Sequence, residues 1–338
     1  MHQMSLLSLG RLVQLKKDGH IEMYNDIKLS PQDTENIIRE IYHIAHKDDI
    51  DKLIEIGDAD FSFSISNVGR FRVNAYKQRN SLSAVIRVVQ FALPDPLALH
   101  IPTSLIDLSK AKKGMVLVTG PAGSGKSTTL ACMIDQINRN RNTHIITIED
   151  PIEYLHSHQK SIVSQREVYH DTLDYVSALR AALREAPEVI LVGEMRDLET
   201  IETAITAAET GHLILSSLHT VGVANTIDRI IDVFPSTQQQ QIRVQLSMVL
   251  NAVVSQQLLP SVDGKMIPVF EVMICNQAIR TLIREGKTHQ IDNVIASQKQ
   301  AGMITMDDAI VELYKQGKIS QETALMYASH PGNIEKKL

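Results

Sequence analysis

Apolar positions in the first ninety-odd residues alternate with polar ones. Phe61-Ser-Phe63-Ser-Ile65-Ser66 does so strictly, which predicts a strand with one buried face. Arg70-Phe-Arg-Val-Asn-Ala-Tyr76 and Ser83-Ala-Val-Ile-Arg-Val-Val89 predict two more strands of the same sheet. Leu12-Val-Gln-Leu15 and Ile21-Glu-Met23 flank Asp18-Gly19, a hairpin signal. Ser30-Pro31 then opens a helix: Ser30 suits the N-cap and Pro31 the first turn. Ile37, Ile38, Ile41 and Ile44 form its apolar stripe. Residues 1–92 therefore predict a small α+β domain.

Pro94, Pro96 and Pro102 mark residues 93–104 as an extended linker. From 105 to 338 the pattern changes. Short apolar, β-branched runs alternate with helical stretches: Met115–Thr119, His144–Ile148, Glu188–Val192 and His212–Ser216. That alternation predicts an α/β domain whose mostly parallel sheet is covered by helices. Thr237 to Leu259 carries neither Pro nor Gly and predicts one long helix. Val262-Asp-Gly-Lys265 predicts a turn and Met266–Ile274 a strand. From about Asn276 the pattern is helical, punctuated by Gly286, Gly302 and Gly317, and the polar end from Gly332 is expected to fray.

The bulk composition narrows the class. A chain of 338 residues, 43% hydrophobic and 22% charged, holds enough apolar material for two cores. A net charge of −5 gives no support to sequence-independent nucleic-acid binding. The 13 histidines show no metal-ligand spacing. The two cysteines, Cys132 and Cys275, each lie in an apolar segment and are expected in a core rather than in a disulfide. No run approaches the roughly 20 apolar residues of a membrane span, and no signal peptide opens the chain. A cytoplasmic protein is expected.

The chemistry concentrates after the apolar strands. Gly120-Pro121-Ala122-Gly123-Ser124-Gly125-Lys126-Ser127 fits G-x-x-x-x-G-K-[ST], and it stands between a predicted strand and a predicted helix. In that context the glycines let backbone N–H groups face phosphate oxygens. Lys126 can reach the β- and γ-phosphates, the Ser127 hydroxyl can ligate Mg²⁺, and Thr128 completes the candidate ATP-binding set. Val189-Ile-Leu-Val192 ends in Gly193-Glu194, where an Asp usually closes the strand. Glu194 is the candidate to hold Mg²⁺ through water or to orient the attacking water. Glu149, Asp150 and Glu153 form a second acidic cluster. Glu149, nearest its strand end, is the candidate general base. His219, in Ser216-Ser-Leu-His-Thr220, can sense or polarise a γ-phosphate, although a lone histidine is as often structural. Arginines often supply transition-state charge. Arg72 and Arg87 on first-domain strands are candidates, as are Arg180 and Arg184, spaced to share a helix face; by default each is a surface residue.

These motifs together resemble the secretion and pilus ATPases, and within them the retraction motors of type IV pili. Gly120–Ser127 is similar to the family's Walker A. Thr147–Glu153 is similar to its Asp box, Val192–Thr200 to its atypical Walker B, and Gly211–Thr220 to its His box. Ala278-Ile-Arg-Thr-Leu-Ile-Arg-Glu285 is similar to the AIRNLIRE signature of retraction motors, with Thr281 replacing Asn. The resemblance implies a PAS-like first domain joined to a RecA-like ATPase domain. It implies a homo-hexamer with ATP and Mg²⁺ between first and second domains. It also implies that Arg72 and Arg87 approach the phosphates. An inner-membrane platform protein is the implied partner, a second retraction ATPase a possible one, and the inner face of the membrane the implied location. The family usually opens with a helix and an A-S-D-[IL]-H-L stretch. This chain starts at Met1-His-Gln-Met without it, so a shortened first domain is expected.

Related secretion and pilus-assembly ATPases share the core boxes, but many add a four-cysteine zinc insertion that two isolated cysteines do not match. A nucleic-acid motor is disfavoured by 4% aromatics and no Trp. A non-hydrolysing ATP-binding subunit is disfavoured by the presence of Glu149, Glu194 and His219.

Overall fold

Residues 4–7, 14–17, 20–23, 28–65, 68–89 and 93–337 are described by the computed structural model. The chain divides into two units, Met1–Ala92 with Glu153–Leu155, and Leu93–Ile152 with His156–Leu338.

The first unit is built on six antiparallel strands with the order β3-β2-β1-β6-β5-β4. They are β1 (Met4–Leu7), β2 (Gln14–Lys17), β3 (His20–Met23), β4 (Asp58–Ile65), β5 (Gly69–Gln78) and β6 (Ser81–Val89). Two helices, α1 (Pro31–Ile44) and α2 (Ile50–Ile56), lie between β3 and β4 in sequence. Ser30 caps α1 in a capping box: its hydroxyl accepts from the Asp33 N–H, and the Asp33 carboxylate accepts from the Ser30 N–H at 2.8 Å. Ile38, Ile41 and Tyr42 bury against Phe61, Val73, Ala75, Leu82 and Ala84. Ile44, the last member of the expected stripe, is exposed. The core thus takes one face of β5 and β6. The expected turn at Asp18-Gly19, with Leu12 and Val13, lies outside the described residues, although β2 and β3 pair antiparallel on either side of it.

The second unit holds a seven-stranded sheet ordered β13-β12-β7-β11-β10-β8-β9. In chain order its elements are α3 (Thr103–Asp107), β7 (Gly114–Thr119), α4 (Lys126–Asn140), β8 (His144–Glu149), β9 (Ile162–Glu167), α5 (Tyr175–Ala182), β10 (Val189–Val192), α6 (Leu198–Glu209) and β11 (Leu213–Leu218). Then come α7 (Val223–Asp232), α8 (Ser236–Val249), β12 (Leu250–Pro260), β13 (Met266–Ile274), α9 (Gln277–Glu285), α10 (Ile291–Ser297), α11 (Met306–Lys315), α12 (Gln321–Tyr327) and α13 (Pro331–Ile334). All pairings are parallel except β12 with β13. Every residue of β7 and β11 is buried, because helices cover both faces. Alternate residues feed two cores: Met115 and Leu117 join α5 to α9, whereas Val116 and Val118 join α3 and α4.

Two expectations are corrected. The single helix expected over Thr237–Leu259 ends at Val249, and the chain continues as strand β12. No Gly or Pro marks the change. It follows from tertiary pairing: Ala252, Val253 and Val254 are fully buried between β7 and β13, where β-branched residues fit. Arg180 and Arg184 do not share a helix face, because α5 ends at Ala182. Both cysteines are buried and unpaired, and burial pushes their thiols up to about 12 for Cys132 and about 11 for Cys275.

Candidate functional site

In an open α/β sheet, ligands gather at the carboxyl ends of the parallel strands. Here four neighbouring strands each deliver a candidate residue there. The loop 120–125 follows β7, Glu149 ends β8, Gly193 and Glu194 follow β10, and His219 follows β11.

The loop needs its glycines. At Gly120, φ is +142°, and an added Cβ would run into the Gln256 carbonyl. At Gly125, φ is +89°, and a Cβ would lie 2.9 Å from the Gln256 amide nitrogen. Gly125 is also the N-cap of α4, so the positive end of that helix faces the loop. Lys126 is buried, and its ammonium donates to the Gly120 and Pro121 carbonyls at 3.0 Å each. The Ser124 hydroxyl is buried without a hydrogen-bond partner. An orphaned hydroxyl in a glycine loop at a helix N-terminus suits a polar, anionic ligand.

One of the acids is tied to that lysine. Lys126 Nζ lies 3.3 Å from His219 Nδ1, and His219 Nε2 lies 3.1 Å from Glu194 Oε1. The other Glu194 oxygen accepts from Arg196 at 2.7 Å. Hydrogen bonding to Glu194 raises the Arg196 guanidinium above its ordinary value. Glu149 accepts from the Thr147 hydroxyl at 2.6 Å and from the Gln165 amide at 3.4 Å, which turns its carboxylate along the strand end.

Gly193 explains the missing strand-end Asp. A Cβ there would stand 3.1 Å from the Ile148 carbonyl, 3.2 Å from the Tyr175 hydroxyl and 3.3 Å from the Glu149 Cα. The Gly193 N–H donates to the Ile148 carbonyl at 2.8 Å, and the Ser217 hydroxyl donates to the Gly193 carbonyl at 2.7 Å. Glycine lets β8 and β10 close at this point, and the acid moves one residue on, to Glu194. Burial, then Asp150, Glu194 and Glu149, push the Tyr175 phenol well above its usual range, so it stays neutral.

This geometry coincides with the outcome of comparison with known proteins. Residues 58–329 match the family described as Type II/IV secretion system protein. A twitching motility protein of Neisseria gonorrhoeae is 44% identical over 92% of this chain and 82% of its own. The Type IV pilus retractation ATPase PilT of Pseudomonas aeruginosa is 43% identical over 97% of this chain and 94% of its own. A crystal structure of the pilus retraction motor PilT with bound ADP superposes with a TM-score of 0.92, at 46% identity, over 99% of this chain and 95% of that one. The chain belongs to the pilus-retraction ATPases of the type II/IV secretion family.

Its α/β fold is that of this ATPase family. In this retraction ATPase the segment Ala278–Glu285 forms most of α9. Ile279 and Ile283 are fully buried and Leu282 packs beside them. Arg280 donates to the Ser247 carbonyl, and to that of Met248 at 2.9 Å, so it caps the C-terminus of α8. In the first unit, Arg72 and Arg87 are direct cross-strand partners on β5 and β6. They occupy the face opposite Val73 and Ala84, Arg72 half-buried and Arg87 exposed. Two like charges set side by side repel, a cost that an anion would relieve. Arg180 reaches Glu199 at 3.7 Å, an exposed pair.

Sequence reasoning assigned no role to Gln256, Tyr175, Arg196, Thr147 or Gln165. Gln256 was hidden by the helix expected across it. Its polar flanks, Ser255 and Gln257, gave no contrast that would mark it. Thr147 and Arg196 sit inside recognisable boxes, and only side-chain geometry gives them partners.

Proposed function

We propose that this ATPase binds ATP through Gly120–Ser127 and Thr128 and hydrolyses it at the acids of β8 and β10. The observation that carries this is the continuous run Lys126–His219–Glu194. It places the cation that would hold the γ-phosphate in contact, through one imidazole, with a carboxylate. Loss of the phosphate changes the charge at one end of the run and is felt at the other. Glu149, held by Thr147, orients or deprotonates water. Arg72 and Arg87 supply positive charge to the phosphoryl group in the transition state.

Mg²⁺ fits the donors present. The Ser127 hydroxyl and the Glu194 carboxylate are hard oxygens. Among the described residues no three His, Cys, Asp or Glu side chains group into a metal cage, so the nucleotide's own oxygens would complete the shell. Bound there, Mg²⁺ neutralises charge on the phosphates. Ser127 would hold it directly and Glu194 through water.

A homo-hexamer at the inner face of the membrane, acting on a platform protein and alongside a second retraction ATPase, is the proposed working form. Among the described residues no helix is long and apolar enough to cross a membrane, so docking to a membrane protein would supply the attachment. Phosphate release by purified protein tests the site: Glu194→Ala is expected to bind ADP and lose Mg²⁺-dependent turnover. Unchanged turnover would remove Glu194 from the reaction. Gene deletion tests the direction of work: surplus surface pili with lost twitching indicates retraction, and absent pili indicates assembly.

A further inference from the structure

Gln256 is 2% exposed, in strand β12, where Ala252, Val253, Val254 and Leu259 are fully buried. A primary amide at that depth must find partners on both ends. Its Nε2 donates to the Ser124 carbonyl at 2.7 Å, and its Oε1 accepts from the Thr129 hydroxyl at 2.8 Å. A carbonyl can only accept, so Ser124 fixes which end of the amide faces the loop. The Thr129 hydroxyl, itself fully buried, then donates to the remaining oxygen.

The consequence lies in the peptide joining Ser124 to Gly125. In a trans peptide the C=O and N–H point in opposite directions. Holding the Ser124 oxygen toward β12 therefore turns the Gly125 N–H away from β12. A phosphate bound by the loop has to lie on that side, since β12 occupies the other. The backbone of Gln256 acts on the same turn from behind, because its carbonyl closes against Gly120. Both ends of the glycine turn are thus seated on one residue of a strand that is not part of the motif.

We propose that Gln256 is a positioning residue for nucleotide binding. It aims the Gly125 N–H at the phosphate, and Thr129 in turn keeps its amide from flipping. This role rests on the nucleotide site proposed above and adds to it a part outside the phosphate-binding motif. The expected signature is loss of affinity more than of chemistry, since Gln256 reaches the phosphate only through the loop.

The test compares Gln256→Met, close in shape without the amide, with Thr129→Val and Thr129→Ser. ADP binding is measured by titration calorimetry, ATP turnover as separate kcat and KM, and folding by nucleotide-free melting. Gln256→Met is expected to weaken ADP and raise KM by about tenfold, with kcat falling less than about threefold. Thr129→Val is expected to weaken ADP similarly, and Thr129→Ser, which keeps the hydroxyl, to restore it. ADP affinity within about twofold of the parent in a folded Gln256→Met protein overturns the role. Should Gln256→Met not fold, the threonine pair decides: equal affinity for Val and Ser overturns it. If the parent itself binds no ADP, the nucleotide site fails, which is distinct from these outcomes.

Discussion

The His219 imidazole stands 3.1 Å from the Glu194 carboxylate, with its other nitrogen 3.3 Å from the Lys126 ammonium. The ring bridges Lys126, at the end of the glycine loop, and the acid after β10. Replacing it by Ala separates the two while leaving the loop's own N–H groups in place. His219→Ala is expected to lower kcat by about a hundredfold, the scale of a lost proton-handling or charge-sensing group. ADP affinity is expected to change little. Steady-state kinetics beside equilibrium binding checks this; an equal loss in both would make His219 a part of the loop rather than a link.

Gly193 sets a steric condition on the same strands. Gly193→Asp, which restores the usual acid, brings a side chain against the Ile148 carbonyl and the Tyr175 hydroxyl, at 3.1 and 3.2 Å from its first carbon. A loss of about 1–3 kcal/mol in stability is expected, with turnover falling as β8 and β10 separate. Gly193→Ala makes the milder clash. Adding Tyr175→Phe to it removes one of the three close atoms and should recover part of the loss. Urea melts of the single and double variants measure the recovery.

Arg72 and Arg87 face each other across β5 and β6. Arg72→Ala is expected to lower turnover by about a thousandfold or more if its charge meets the phosphoryl group. Arg87→Gln is expected to lower turnover too, yet not to lower the melting temperature without nucleotide, since it removes one of two like charges. A fall in melting temperature equal to that of a core variant would instead make Arg87 structural.

Glu271 on β13 gives a pH dependence of stability. It is 6% exposed, and its carboxylate accepts from the Val223 N–H at 3.0 Å, at the start of α7. Burial chiefly, with Asp292 and Asp307 adding, raises it from an ordinary 4.5 to about 7. The folded state therefore holds this proton over a pH range in which the unfolded chain has lost it. Stability from Glu271 is full below about 4.5 and declines as pH rises to about 7, by on the order of 3 kcal/mol. Glu271→Gln keeps an oxygen for Val223 and has no proton to lose. Its melting temperature should exceed that of the parent at pH 7.5, and the gap should close at pH 5.

The strands that carry the site were legible because each is apolar on both faces and ends in a recognisable box. Met115–Thr119, His144–Ile148 and Val189–Val192 needed no partner to be found. Strand β12 was not legible. Helix α8 runs into it with no Gly or Pro between, and its residues suit either state, so pairing with β7 and β13 decides between them. Gln256 was lost with it. The arginines of the first unit were legible as charges but not as a cross-strand pair, since register is set by hydrogen bonding between β5 and β6.

The sequence by itself determined the glycine loop with its lysine, the acids and histidine at neighbouring strand ends, and the α/β class. Those follow from local composition: glycines for tight turns, β-branched runs for buried strands, charge at strand ends. Tertiary structure alone decided which atoms meet. It set His219 between Lys126 and Glu194, closed β8 on β10 at Gly193, and seated the loop on Gln256. Such contacts join residues up to 136 positions apart, as Gly120 and Gln256 are. No local preference encodes a contact of that span, because it forms only when the sheet brings the strand ends together.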